Sequence, residues 1–171
     1  QQAAVVDAEH TVLTLASTSE SNAVELLQHV GLRRPHYSRL GELWVADGTE
    51  TLRVAVGDHV REVVIEGLPD GGVEAIRASP DAARVALIVK HADGRRVVGT
   101  AGVVRAGDGT IRVVGWLPLS IHGVSTDPLN AVDVGWRTSD LLMLLVADGR
   151  GTTIVTVHPD GAAPLVVGRS E

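Results

Sequence analysis

Ala75-Ile76-Arg77-Ala78-Ser79-Pro80-Asp81-Ala82-Ala83-Arg84-Val85-Ala86-Leu87 decides the fold. It reads as one strand, a tight turn, and a second, more apolar strand. Pro80 presets φ for the turn, and the side chains of Ser79 and Asp81 can hydrogen-bond nearby backbone groups. The continuous run Val85–Val89 suits a strand buried on both faces, as in the middle of stacked sheets.

The same figure occurs twice more. Pro35-His36-Tyr37-Ser38-Arg39-Leu40-Gly41-Glu42-Leu43-Trp44-Val45 precedes it, and Val132-Asp133-Val134-Gly135-Trp136-Arg137-Thr138-Ser139-Asp140-Leu141-Leu142-Met143-Leu144 follows it. Each is a strand ending at Ser or Thr, a short polar turn, and a strongly apolar strand. Ser38 and Ser79 are about 41 residues apart, and Ser79 and Thr138 just under 60. The longer interval holds the loop Pro118–Leu129. Around these openings, Asp-Gly pairs at Asp47, Asp70, Asp93, Asp108, Asp148 and Asp160 punctuate short Val-rich runs. Such pairs tolerate positive φ and mark hairpin turns. Ser21–Val30 has some helical spacing, but the repeat requires a strand there, and a strand is expected.

Four short antiparallel strands recurring every ~40–50 residues are the signature of a propeller blade. One such sheet cannot bury both apolar faces alone; stacking buries them against neighbours. The expected fold is all-β, a partial β-propeller of about three to four four-stranded blades. The chain reads as one domain, with approximate blades at 1–30 (partial), 31–70, 71–120 and 121–171. The opening Gln1-Gln2-Ala3 reads as an internal or processed piece, with any targeting signal upstream. Open end sheets make self-association an expectation.

Composition agrees. Among 171 residues the apolar share is 44%, with three Trp, one Tyr and no Phe. Val is about one residue in six, which favours strands. The net charge is −6, and the basic residues stand singly or in pairs, Arg33-Arg34 and Arg95-Arg96. A nucleic-acid groove needs them gathered. The absence of Cys excludes a disulfide framework, a thiol nucleophile and Cys-ligated metal. No apolar run approaches the ~20 residues of a membrane span.

Candidate chemistry is thin. The seven histidines, His10 to His158, show no metal-binding spacing and read as polar residues at strand ends and turns. No nucleophile elbow occurs. Ser38, Ser79 and Thr138 recur by repeat and read as turn residues. Asp133 and Asp7-Ala8-Glu9 read as isolated, and nothing marks a pair of facing carboxylates. Gly99-Thr100-Ala101-Gly102 falls inside an apolar strand and reads as a bulge or a close backbone approach. Trp44, Trp116 and Trp136 are expected to pack between blades. No catalytic residue, metal ligand or cofactor is assigned. The partner-binding candidates are loop residues, Asp70 in Leu68–Gly72 and Ile121, His122, Ser125, Thr126 and Asp127 in Pro118–Leu129, because connecting loops carry function on rigid scaffolds.

Three ordered segments carry a resemblance: the Arg34–Val45 opening, then Ala75–Asp81 with Arg84-Val85-Ala86-Leu87-Ile88-Val89, then Val98–Arg105 followed by Ala131–Trp136. Together they span roughly Gly31 to Val146, and they resemble the propeller segment of the actinobacterial LpqB lipoprotein family. Ala82 departs from the glycine common after Ser-Pro-Asp, so that turn need not keep its usual geometry. The resemblance implies an exported lipoprotein anchored to the outer face of the cell membrane through an acylated Cys upstream. It implies a GerMN-like domain before the propeller and an association with the MtrAB two-component system. There the protein acts on the extracellular side of the sensor kinase MtrB and influences envelope homeostasis and division. No catalytic residues come with it. The alternatives are a TolB-like propeller that binds a glycan or small ligand, and a propeller hydrolase.

Overall fold

The structure, a computed structural model, describes residues 2–17, 23–119, 131–147, 151–160 and 165–170. All regular structure among them is β. The first sheet holds β1 (Gln2–Val6), β2 (Val12–Ser17) and β3 (Ala23–Gln28). The second holds β4 (His36–Tyr37), β5 (Leu43–Ala46), β6 (Thr51–Val56) and β7 (His59–Val64). The third holds β8 (Gly72–Ala78), β9 (Arg84–Lys90), β10 (Arg96–Arg105) and β11 (Ile111–Pro118). The fourth holds β12 (Ala131–Thr138), β13 (Leu141–Ala147), β14 (Thr152–Val157) and β15 (Leu165–Ser170). Each sheet is an antiparallel meander whose order in space follows the sequence, and none closes on itself.

The sheets fan around their first strands. β8 touches β4 on one side and β12 on the other. At the periphery β7 meets β11, and Ile65 forms a parallel bridge with Val113. Inner strands neighbour inner strands, and outer strands neighbour outer ones. This is the radial arrangement of propeller blades.

Alternation of side chains along the strands fills the gaps. On β9, Val85, Leu87 and Val89 face the second sheet and pack with its Trp44, Leu52 and Val54 and with Val73 and Ile76 of β8. Ala86 and Ile88 face the fourth sheet and meet Val134, Leu142, Leu144 and Val155. Both faces of β9 are buried because side chains alternate with a period of two. A third cluster of Leu13, Leu32, Leu43, Val45 and Ala55 joins the first sheet to the second. Full burial of each Val, Leu or Ile side chain among them contributes about 1.5–3 kcal/mol.

The repeated turn is a repeated hydrogen-bond pattern. Ser79 Oγ donates to Asp81 Oδ1 at 2.5 Å and accepts from Arg84 N at 3.0 Å. Thr138 Oγ1 donates to Asp140 in the same way at 2.6 Å. In the second sheet no Asp follows Ser38; Ser38 Oγ donates instead to Glu42 at 2.9 Å. Ala82 keeps the geometry of the glycine it replaces, with φ of 57°, and Gly41 occupies the equivalent place at 77°. Gly41 N bonds Ser38 O, and Ala82 N bonds Ser79 O.

Gly99 and Gly102 do what their position in an apolar strand suggests. The β10–β11 register shifts between Thr100 and Gly102, and a Cβ on Gly99 would collide with the Trp116 ring. All three Trp pack between sheets: Trp44 and Trp116 with the second-to-third cluster, Trp136 with the third-to-fourth.

Candidate interaction cleft

The start of each first strand, the preceding connection and the hairpin between second and third strands meet at one end of the fan. A cleft of about 530 Å³ opens there. Its wall comes from β8 (Glu74, Ala75, Arg77), from β12 (Val132, Asp133), from Arg33 and Arg34 just before β4, and from Arg96 at the start of β10. His10, from the β1–β2 hairpin, completes it.

Most of these groups are held in place. Arg77 Nη2 donates to both Asp133 carboxylate oxygens, at 3.0 and 3.3 Å, while Trp136 Nε1 donates to Arg77 O at 2.9 Å. The innermost strands of the third and fourth sheets are thereby joined. Asp133, which reads as isolated in the sequence, is a partner in this ion pair. Arg96 Nε bonds Glu74 at 2.6 Å, with Lys90 3.7 Å from the same carboxylate. His10 adopts φ of 60°, and its Nδ1 donates to Leu32 O at 2.9 Å; a carbonyl only accepts, so the proton sits on Nδ1. Arg33 differs: its Nε is buried without a hydrogen-bond partner.

The rim is also fixed. Gly48 N donates to Val73 O at 3.2 Å and Val73 N to Thr49 O at 2.9 Å, tying the β5–β6 hairpin to the start of β8. The backbones of Gly48 and Gly72 approach so closely that a Cβ on Gly72 would overlap Gly48. Asp47 in that hairpin is more than a turn residue. Its side chain is 1% exposed and lies 3.4 Å from Arg53 and 3.7 Å from His29.

The opposite ends of the first strands form a second opening of about 400 Å³, lined by His36, Ser38, Arg39, Ser79 and Trp136 among others, with Arg77 reaching both openings. Burial, and then the charge of Arg77, hold the His36 pKa below its ordinary value, against an opposing hydrogen bond with Ala78. Among the described residues no three His, Asp or Glu side chains are grouped to hold a metal.

Asp70 is exposed, in the connection that leads to Gly72 and so to the rim of the first cleft. Ile121, His122, Ser125, Thr126 and Asp127 lie outside the described residues. The segment containing them is flanked by Leu119, whose N donates to Val98 O, and by Ala131, which opens β12. Sequence reading missed Arg33, Arg34, Arg77 and Arg96, which look scattered along the chain and which the fan gathers at one opening. For Arg33, Arg34 and Arg96 the usable signal was their place within the repeat, at or just before the start of a first or third strand; Arg77, near the end of β8, carried none.

Four sequence-ordered meanders fanned about their first strands define the class: a β-propeller blade array. The chain belongs to the LpqB family of propellers, the lipoprotein LpqB beta-propeller domain matching residues 1–169. It is 32% identical over 142 residues to lipoprotein LpqB of Streptomyces coelicolor, which covers 78% of this chain and 22% of that protein. The chain thus spans about a fifth of that relative's length. In solved structures it is similar to a chain of a nidogen–laminin complex, with a TM-score of 0.64 and 14% identity over 94% of this chain and 59% of the other. A Mycobacterium tuberculosis puromycin-hydrolyzing peptidase gives 0.64 and 18% over 98% and 29%. Hsv2 of Kluyveromyces marxianus gives 0.56 and 14% over 96% and 56%. At such identities these likenesses are of fold alone. Among the described residues no helix is long and apolar enough to cross a membrane.

Proposed function

We propose that this chain is a non-enzymatic protein-interaction module of a cell-envelope lipoprotein, held at the outer face of the cell membrane. Its partner is the extracellular part of an MtrAB-type sensor histidine kinase, through which it influences wall homeostasis and division. The family match over residues 1–169 carries this reading. The cleft supports it: a wall held by hydrogen bonds and ringed by connecting loops is how such scaffolds present a binding surface. A hydrolase reading gains nothing from the cleft, whose carboxylates Glu74 and Asp133 are each bound by arginine. A glycan-binding reading looks for exposed aromatic platforms; Trp44 is buried, and Trp116 and Trp136 are half-buried against the sheet interfaces, Trp136 bordering the second opening.

The test is capture of the purified kinase ectodomain by the full-length lipoprotein, with this chain run in parallel. Saturable capture by both is the expected result. Alanine replacements from Ile121 to Thr126 should weaken it. Absence of capture by the full-length protein overturns the partner assignment.

A further inference from the structure

We infer that the cleft at the start of the first strands takes an acidic peptide segment, one of whose carboxylates is held by Arg33 and Arg34. This inference rests on the protein-interaction reading and specifies the chemistry of the contact. Four arginines line the cleft, Arg33, Arg34, Arg77 and Arg96, against two carboxylates, Glu74 and Asp133. The two carboxylates are already engaged by Arg96 and Arg77. Two guanidinium charges are therefore left over, in a chain whose net charge is −6. Arg33 and Arg34 have no carboxylate partner among the described residues, and the Arg33 Nε is buried without any acceptor.

The shielded Nε keeps Arg33 short of one acceptor, and its guanidinium, half-buried beside the exposed Arg34, is only partly hydrated, so an incoming oxyanion gains from both. Guanidinium groups match carboxylate geometry with paired N–H donors. The remaining wall decides between anions. Ala75, Val132 and Leu145 give the cleft an apolar side beside the basic one. A small inorganic anion leaves that side uncovered, whereas a peptide with alternating acidic and aliphatic residues covers both. A volume of about 530 Å³ is at the scale of sites that enclose a small organic ligand and admits a few residues of such a segment.

The experiment uses fluorescence anisotropy with a labelled hexapeptide of alternating glutamate and leucine. Its glutamine–leucine counterpart and inorganic pyrophosphate serve as the comparison arms. Saturable binding of the acidic peptide is expected, weakened roughly tenfold by Arg34→Gln and by salt. Arg34 is exposed, so this variant leaves the packed core untouched. Arg33→Gln should weaken binding similarly, and Arg137→Gln, an exposed arginine that does not line the cleft, should not. Equal binding of the uncharged peptide, or unchanged affinity in Arg34→Gln, overturns the inference. Tighter binding of pyrophosphate than of the peptide overturns it in favour of a phosphate site. Kinase capture is then measured with the same variants. Capture unaffected by Arg33→Gln and Arg34→Gln refutes the cleft as the contact and leaves the partner assignment standing. Peptide binding without kinase capture does the reverse.

Discussion

The carboxylate of Glu42, in the second sheet, accepts from two nitrogens of Arg105 in the third: Nε at 2.5 Å and Nη2 at 2.8 Å. Ser38 Oγ and Trp44 Nε1 donate to the same carboxylate at 2.9 and 3.1 Å. Arg105 also donates to Ala82 O at 2.7 Å. One buried carboxylate thus connects a turn, a core tryptophan and the neighbouring blade. Removing one partner of a buried pair leaves the other uncompensated, at about 3–5 kcal/mol. The Arg105 side chain is 26% exposed, so Glu42→Ala belongs at the low end, about 3 kcal/mol. Urea unfolding at neutral pH measures this. A loss under about 1 kcal/mol, the range of surface pairs, contradicts it.

Acid should destabilise the protein in two stages. Burial acts to raise the Glu42 pKa, but hydrogen bonds from Arg105 and Ser38, the Arg105 charge and the Trp44 bond outweigh it and hold it below the ordinary 4.5. Burial and the Arg77 charge hold His36 below 6.5. In both cases the folded state favours the deprotonated form. Stability is therefore full above the ordinary value and is lost as the pH falls through the folded one. The His36 contribution fades below 6.5, and that of Glu42 below 4.5. Urea midpoints across this range should lose the first stage in His36→Gln and most of the second in Glu42→Gln. Some slope persists in Glu42→Gln because Asp7, Asp81, Asp108 and Asp140 are also lowered by hydrogen bonding in turns.

Gly41 and Ala82 occupy equivalent turns at positive φ. Nothing lies within 4 Å of a Cβ placed on Gly41, so Gly41→Ala isolates the backbone cost, about 1 kcal/mol. Ala82→Gly removes a similar strain but also a methyl group that is 1% exposed, worth about 0.8 kcal/mol. Its net effect should fall within about 0.5 kcal/mol of zero. Thermal melts of the two variants should differ in that order.

Gly72→Ala drives a methyl group into the Gly48 backbone at the rim of the cleft. Neither backbone can yield without stretching the Val73–Thr49 and Gly48–Val73 hydrogen bonds. Overpacking of this kind costs about 1–3 kcal/mol. Hydrogen exchange should show faster exchange at Gly48 and Val73, and an unchanged pattern there argues against the close approach.

Strand order and blade packing were legible because both rest on local chemistry. Ser79-Pro80-Asp81 makes its turn from its own side chains, and the run Val85–Val89 declares a strand covered on both faces, whereas Leu141–Val146, equally apolar, is covered on one face only, Met143 on the other being 38% exposed. The Asp-Gly turns at Asp93 and Asp108 follow the same logic, each carboxylate accepting from the backbone two residues on. The cleft was not legible. Arg33 and Arg77 are 44 positions apart by number, and only the fan brings them to one opening. Asp133 looked isolated for the same reason, its partner lying 56 residues away. Pairings set by packing geometry leave no mark on sequence spacing.

Because each described strand pairs within its sheet only with those before and after it in the chain, the ladders respond unevenly to heat and to force. Heat must disrupt whole interfaces such as the one around Trp44 and Ile76. Tension applied at the two chain ends meets the hydrogen bonds one at a time, from the outermost strands inward, and opens them like a zip. Pulling at constant speed should therefore give several separate rupture events, one for each blade, rather than a single one.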